Sequence, residues 1–168
     1  MTSDLRTAHV YHGHAHGTPA DRVVLSYEDR FLRRKVLTTA GGERVLVDLP
    51  QTVSLDHGGV LLTADGGEIA VEAAVEPLLE VTGPDLPRLA WHVGNRHTPC
   101  QIEAGRLLIQ PDHVIADMLS RLGARLREVS EPFTPEGGAY GHGRTHGHDH
   151  GHEHGHDHAH DHGHDHSH

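Results

Sequence analysis

Histidine alternates with glycine, alanine and acidic residues through the final stretch of this 168-residue chain. The string HGHDHGHEHGHDHAHDHGHDHSH places an imidazole at every second position, at His146, His148, His150, His152, His154, His156, His158, His160, His162, His164, His166 and His168, with His142 just ahead of them. Neutral imidazole suits Ni(II), Cu(II), Zn(II) and Co(II), and alternation lets an extended backbone project successive rings to one side. Asp149, Glu153, Asp157, Asp161 and Asp165 interleave carboxylate donors. A purification tag would carry consecutive histidines, and a merely solvating tail would use Lys, Glu and Ser. The segment reads as a binder of several metal ions, with the metal left open, since affinity order alone favours Cu(II) over Ni(II).

Charge and cysteine content exclude several classes. Acidic residues outnumber Lys and Arg 24 to 14, for a net charge of −10, so nucleic acid is a poor expectation. Imidazole ordinarily titrates at about pH 6.5, so the tail turns cationic only under mild acid. A single cysteine, Cys100, rules out an intramolecular disulfide framework and a Cys-rich structural zinc site. The amino terminus lacks an apolar stretch of signal-peptide length and no run approaches about 18 apolar residues, so the expectation is a soluble cytosolic protein without a membrane partner. No P-loop, GxGxxG, HExxH, GxSxG or CxxC motif is present, and aromatics make up 4% of the chain, which argues against an enzyme.

Within the remaining 141 residues the most informative string is WHVGNRHTPCQI at 91–102. Gly94-Asn95 reads as a helix C-cap, which puts His97 in a short loop before a strand, exposed yet held on a rigid element. A competing reading has His97 merely capping carbonyls at the helix end, where a cation is favoured. A lone imidazole cannot hold a transition ion, but a residue near a two-fold axis is presented twice, and mobile histidines could complete the set. The same logic nominates His113, beside Asp112, and more weakly His92. A soft-ligand role for Cys100 stays open against that of a small buried residue. His57, in Asp56-His57-Gly58-Gly59, reads as a turn residue, and His12, His14 and His16 lie in the amino-terminal stretch.

Four zones must position these groups. Residues 1–20 read as a flexible, His-containing arm without helical or strand periodicity. Residues 21–74 read as a small antiparallel β-domain, with strands at 23–26, 33–39, 43–49, 59–63 and 68–74 punctuated by GG, HGG and DGG turns. Residues 75–135 alternate strand and helix. A strand at 75–81 precedes a helix with Leu86, Leu89, Ala90 and Val93 on one face, and a hairpin around Gly105 precedes a helix opened by Pro111-Asp112 and closed at Gly123. A last strand spans 125–133, giving a ferredoxin-like βαββαβ order with two helices on one face of four strands. Residues 136–168 form a flexible His-rich tail, and the fold class is α+β.

The HVGNRHTPCQI stretch at 92–102, the Gly105 hairpin, DHVIADMLSRLG at 112–123, and EPFTPEGGAY at 131–140 running into a His-rich tail resemble the UreE urease accessory protein family. RRKVLTTAGGERVLVDLPQTVSLDHGG resembles its amino-terminal β-domain, so the resemblance covers the chain from about residue 22 onward. GNRH at 94–97 is its most specific element. The resemblance implies a cytosolic nickel metallochaperone with Ni(II) as cargo, a homodimer joined through the ferredoxin-like domains, and one ion held between the two copies of His97. It also implies a protein-docking role for the amino-terminal domain, extra metal ligation by the tail, and delivery to apo-urease with the GTP-binding accessory protein UreG and the urease pre-activation complex. Association into tetramers on metal is a further possibility that the resemblance leaves open. Relatives bracket the Asp before the second helix as His-Asp-His, whereas this chain has Pro111-Asp112-His113, which leaves one member of that auxiliary pair missing.

Two other functions compete. A storage protein would sequester Ni(II) or Zn(II) through the tail alone, and a metal-dependent hydrolase would need Asp112 with His113 beside an open metal position.

Overall fold

The computed structural model describes residues 5–137, so the tail histidines from His142 to His168 lie outside the described residues. Two sheets and two helices make up an α+β protein. The first sheet contains β1 (Arg6–His12), β2 (Asp21–Leu25), β3 (Phe31–Thr38), β4 (Arg44–Ser54), β5 (Val60–Thr63) and β6 (Glu68–Ala73), in the order β2-β6-β5-β1-β4-β3.

This sheet departs from the sequence reading twice. The stretch read as a flexible arm contributes β1, which lies between β5 and β4 and buries Ala8 completely. Histidines at positions 9 and 12 mask its apolar alternation, and pairing on both edges supplies the backbone hydrogen bonds that local composition does not advertise. The sheet is also mixed rather than antiparallel: β1 runs parallel to β4, and β2 parallel to β6. Gly-rich turns reveal hairpins such as β3-β4 and β5-β6, but pairings between strands distant in the chain carry no turn signal. Ala8, Val23, Val45, Val47, Leu49, Leu61, Ile69 and Val71 form the core beneath it.

The second unit follows the expected order: β7 (Val75–Thr82), α1 (Leu86–Asn95), β8 (Cys100–Ile102), β9 (Leu107–Ile109), α2 (His113–Arg121) and β10 (Arg125–Pro132), with the sheet ordered β10-β7-β9-β8. Strand alternation sends Val81, Leu107 and Ile109 toward Leu89 and Val93 of α1 and Ile115 and Leu119 of α2. Leu78 and Leu108 point the other way and pack on Phe133, which is fully buried. Also on this polar side, Arg106 bridges Glu80, Glu103 and Glu131. Among the described residues no helix is long and apolar enough to cross a membrane.

Only Ala74 separates the last strand of the first sheet from the first strand of the second. The two units are clamped elsewhere. Arg30, 3% exposed, donates Nε to Leu55 O at 3.1 Å, Nη1 to Leu25 O at 3.0 Å and Nη2 to Phe133 O at 2.5 Å. Tyr27 stacks edge-on against Phe133 at 5.3 Å, and its N–H donates to the Glu76 carboxylate at 2.9 Å. Arg30→Ala strips a donor from the Leu55 and Phe133 carbonyls and is expected to cost about 2–4 kcal/mol in thermal or denaturant unfolding. Arg30→Lys should recover only part of this, because one ammonium cannot reproduce the planar fork.

Candidate metal centre

Helix α1 starts where Asp85 caps it, its carboxylate accepting the Arg88 N–H at 3.2 Å, and Pro87 fits the first turn because the missing N–H is not needed there. Its other end lies one residue beyond the position read from sequence. The helix runs through Gly94 to Asn95, Arg96 is the C-cap, and His97 follows with φ +56. The His97 N–H donates to Gly94 O at 2.9 Å and the Thr98 N–H to Val93 O at 3.3 Å. These are the two hydrogen bonds of a Schellman termination, whose left-handed residue is ordinarily glycine.

Helix α2 ends with the same pair of bonds, Gly123 N–H to Ser120 O at 3.1 Å and Ala124 N–H to Leu119 O at 3.0 Å, and there the left-handed residue is Gly123, at φ +87. The two helices thus solve one backbone problem with different residues. Among the described residues His97 is the only non-glycine with positive φ. An L-residue with a Cβ pays roughly 1–2 kcal/mol in that conformation.

The exposed imidazole of His97 stands at a cleft of about 510 Å³ between the two units. Ala90, Gly94 and Thr98 line its α1 side, Leu55, Asp56 and His57 its β4–β5 side, and Thr134 to Gly137 a third. That third wall is pinned to β8: the Thr134 N–H donates to Gln101 Oε1 and the Glu136 N–H to Cys100 O, both at 2.8 Å. The last described residue, Gly137, therefore lies on the wall of the cleft that His97 faces.

The other sequence candidates fall into place unevenly. His113 is exposed in the first turn of α2 and does not line this cleft. Asp112 spends Oδ1 on the Val114 and Ile115 N–H groups at 2.8 and 3.0 Å, so its carboxylate serves as a helix cap beside His113. His92 is half-buried and edge-on to Trp91 at 5.0 Å. Cys100 is buried, and desolvation, with Glu136 nearby, pushes its thiol up to about 11, which keeps it a neutral packing residue at physiological pH. His57, read as a turn residue, also lines the cleft, and its Nδ1 accepts the Ala73 N–H at 3.0 Å. The His-Gly-Gly turn could have marked that backbone contact but not the cleft. Among the described residues no three His, Cys, Asp or Glu side chains converge as a ready-made cage, so His97 needs donors from elsewhere to hold an ion.

Two family models match the chain: the UreE urease accessory protein N-terminal domain over residues 2–74 and the C-terminal domain over residues 76–168. The chain is 70% identical over 146 residues to a urease accessory protein UreE of Ruegeria sp. strain TM1040, an alignment covering 86% of this chain and 83% of that protein. It is 71% identical over 125 residues to the UreE of Ruegeria pomeroyi, covering 74% and 84%, and 58% identical over 129 residues to that of Cereibacter sphaeroides, covering 77% and 70%.

The strained backbone at His97 separates folding from ligation. His97→Gly should raise thermal stability by about 0.5–1 kcal/mol while removing an imidazole, and His97→Ala should remove the imidazole without that gain. Gly123→Ala, at the matching position of α2, should lose about 1 kcal/mol or more by the same measurement.

Proposed function

The chain belongs to the UreE urease accessory protein family, so it acts in urease maturation and is not an enzyme, and on that premise we propose that it is a cytoplasmic Ni(II) metallochaperone delivering nickel to apo-urease. The observation that carries this reading is the imidazole of His97 held at a left-handed helix terminus where glycine would be more stable. Backbone strain retained at one exposed histidine is readily understood if that side chain is needed at that point.

We read the second unit, with its βαββαβ order and sheet order β10-β7-β9-β8, as ferredoxin-like and as the dimerisation unit. Trp91 on α1 is 64% exposed, and Val114 on α2 and Ile102 on β8 are more than half exposed, which supports a self-complementary apolar face on this unit. Two copies of His97 would then meet on the two-fold axis. The tail is the natural source of further donors, because His142 lies five positions beyond Gly137, on the cleft wall, a reach of at most about 18 Å. His113 and the histidines from His142 to His168 serve in this reading as auxiliary ligands, which Zn(II), Cu(II) or Co(II) could also occupy. The amino-terminal sheet is the docking unit for other proteins, and UreG with the urease pre-activation complex are the partners in handover. A site shared across an exposed dimer face releases its ion by stepwise replacement of imidazoles, which a closed four-ligand site resists.

Nickel calorimetry with size-exclusion chromatography tests this on the full chain, on a form ending at residue 141, and on that short form carrying His97→Ala. The short form should dimerise and keep one tight Ni(II) per dimer, and His97→Ala should abolish it. A short form with no tight site would favour storage by the tail alone. Ligation requires neutral imidazole, so occupancy at fixed Ni(II) should be lower at pH 5 than at pH 7.5.

A further inference from the structure

A second group of imidazoles lies on the other unit. His12 ends β1, and the connection to β2 turns back over the sheet through Gly13, His14, Ala15, His16 and Gly17. This turn is held in place: the Glu68 carboxylate accepts the His16 N–H at 3.1 Å and the Gly17 N–H at 3.3 Å, and the Ala20 N–H donates to Glu68 O at 3.0 Å. His12 is fixed from the other side by pairing opposite Val60 on β5. Between these anchors His16 Nε2 lies 2.9 Å from His12 Nδ1, their rings edge-to-face at 4.9 Å, and the His14 ring stands 4.7 Å from that of His16.

We propose that His12 and His16 form a second Ni(II)-chelating site, separate from His97 and borne by the amino-terminal sheet. Two metal–nitrogen bonds of about 2.0–2.1 Å at a right angle place their nitrogens about 2.9 Å apart, so the pair already has the spacing of adjacent ligands in a square-planar or octahedral ion. In the metal-free protein one ring donates its N–H to the other. When an ion binds, the donor ring carries its proton on its remaining nitrogen, and both rings rotate to turn their lone pairs from each other to the metal. His14 and His16 are exposed, which leaves the remaining positions to water or to further imidazoles, and the Glu68 carboxylate behind the turn favours a dication. The chelate rests on this geometry alone, whereas the choice of nickel rests on the function proposed above.

Diethylpyrocarbonate footprinting of the full chain reads each of these histidines separately from the histidine-rich tail. Cleavage after Arg6 and Arg22 releases one peptide holding His9, His12, His14 and His16, resolved by tandem mass spectrometry. His9, whose Nδ1–H donates to Asp48 O at 3.0 Å, is the internal control. With NiCl₂ in excess over every histidine, labelling of His12 and His16 should fall at least fivefold, His9 should be unchanged, and the pattern should persist in His97→Ala. His12→Gln should restore labelling of His16 at the same Ni(II), because a chelate fails when one arm is lost. Continued protection of His16 in that variant would overturn the chelate. Loss of labelling with ZnCl₂ but not NiCl₂ would overturn the assignment to nickel, and protection by neither ion would overturn the site.

Discussion

A guanidinium buried between the two units holds the cleft at His97 together. Arg30 faces carbonyl groups instead of carboxylates: those of Leu25 and Leu55 belong to the first unit, and that of Phe133 closes the second. Removing a cation from water is costly, and burial pushes the Arg30 guanidinium down from its ordinary value, with Glu76, Tyr27 and Asp56 acting in the opposite sense. Three carbonyl acceptors, and the Tyr27 ring at 5.7 Å, recover part of that cost. The cleft depends on this arrangement. Leu55, Asp56 and His57 form one wall and Thr134 to Gly137 another, and Arg30 bonds to Leu55 in the first and to Phe133, immediately before the second.

Phe133 explains why the clamp lies there. Its ring covers Leu78 and Leu108 on the sheet face opposite the helices, which would otherwise expose apolar surface between the charged rows of Arg106, Glu80 and Glu131. Burying that ring draws the chain after β10 back across the sheet, and the Gln101 side chain and the Cys100 carbonyl hold it alongside β8. The position of Gly137, the last described residue, is thus set by packing on the back of the second sheet. The same residues tie that segment to the first unit through Arg30 and Tyr27.

Local signals made the second unit legible. Asp85 and Asp112 cap their helices where sequence placed the starts, Gly123 ends α2, and the Gly105 turn joins β8 to β9. Long-range features were not legible. The turn after β1 does not join it to a neighbouring strand, and its partners β4 and β5 lie more than thirty residues away, so the six-stranded mixed sheet is invisible to a reading based on hairpins. Arg30 reads as one more charge in the run EDRFLRRK, and nothing local marks it for burial. The end of α1 was misplaced because Gly94 and Asn95 are the usual termination residues, and the chain passes over both to place His97 in the left-handed position.

That displacement has a chemical consequence for the donor set. In a Schellman termination the helix spends carbonyls on its own trailing N–H groups, and here the Val93 and Gly94 oxygens accept those bonds. The imidazole extends from the residue that completes the cap. It offers nitrogen, a donor suited to borderline ions over Mg(II) or Ca(II). Further ligands can come from another copy of the chain or from its own histidines, and donors recruited in that way can be given up one at a time. Glycine at position 97 would make a better helix end, as Gly123 does for α2, but it would leave the cleft without the nitrogen around which such a set could assemble.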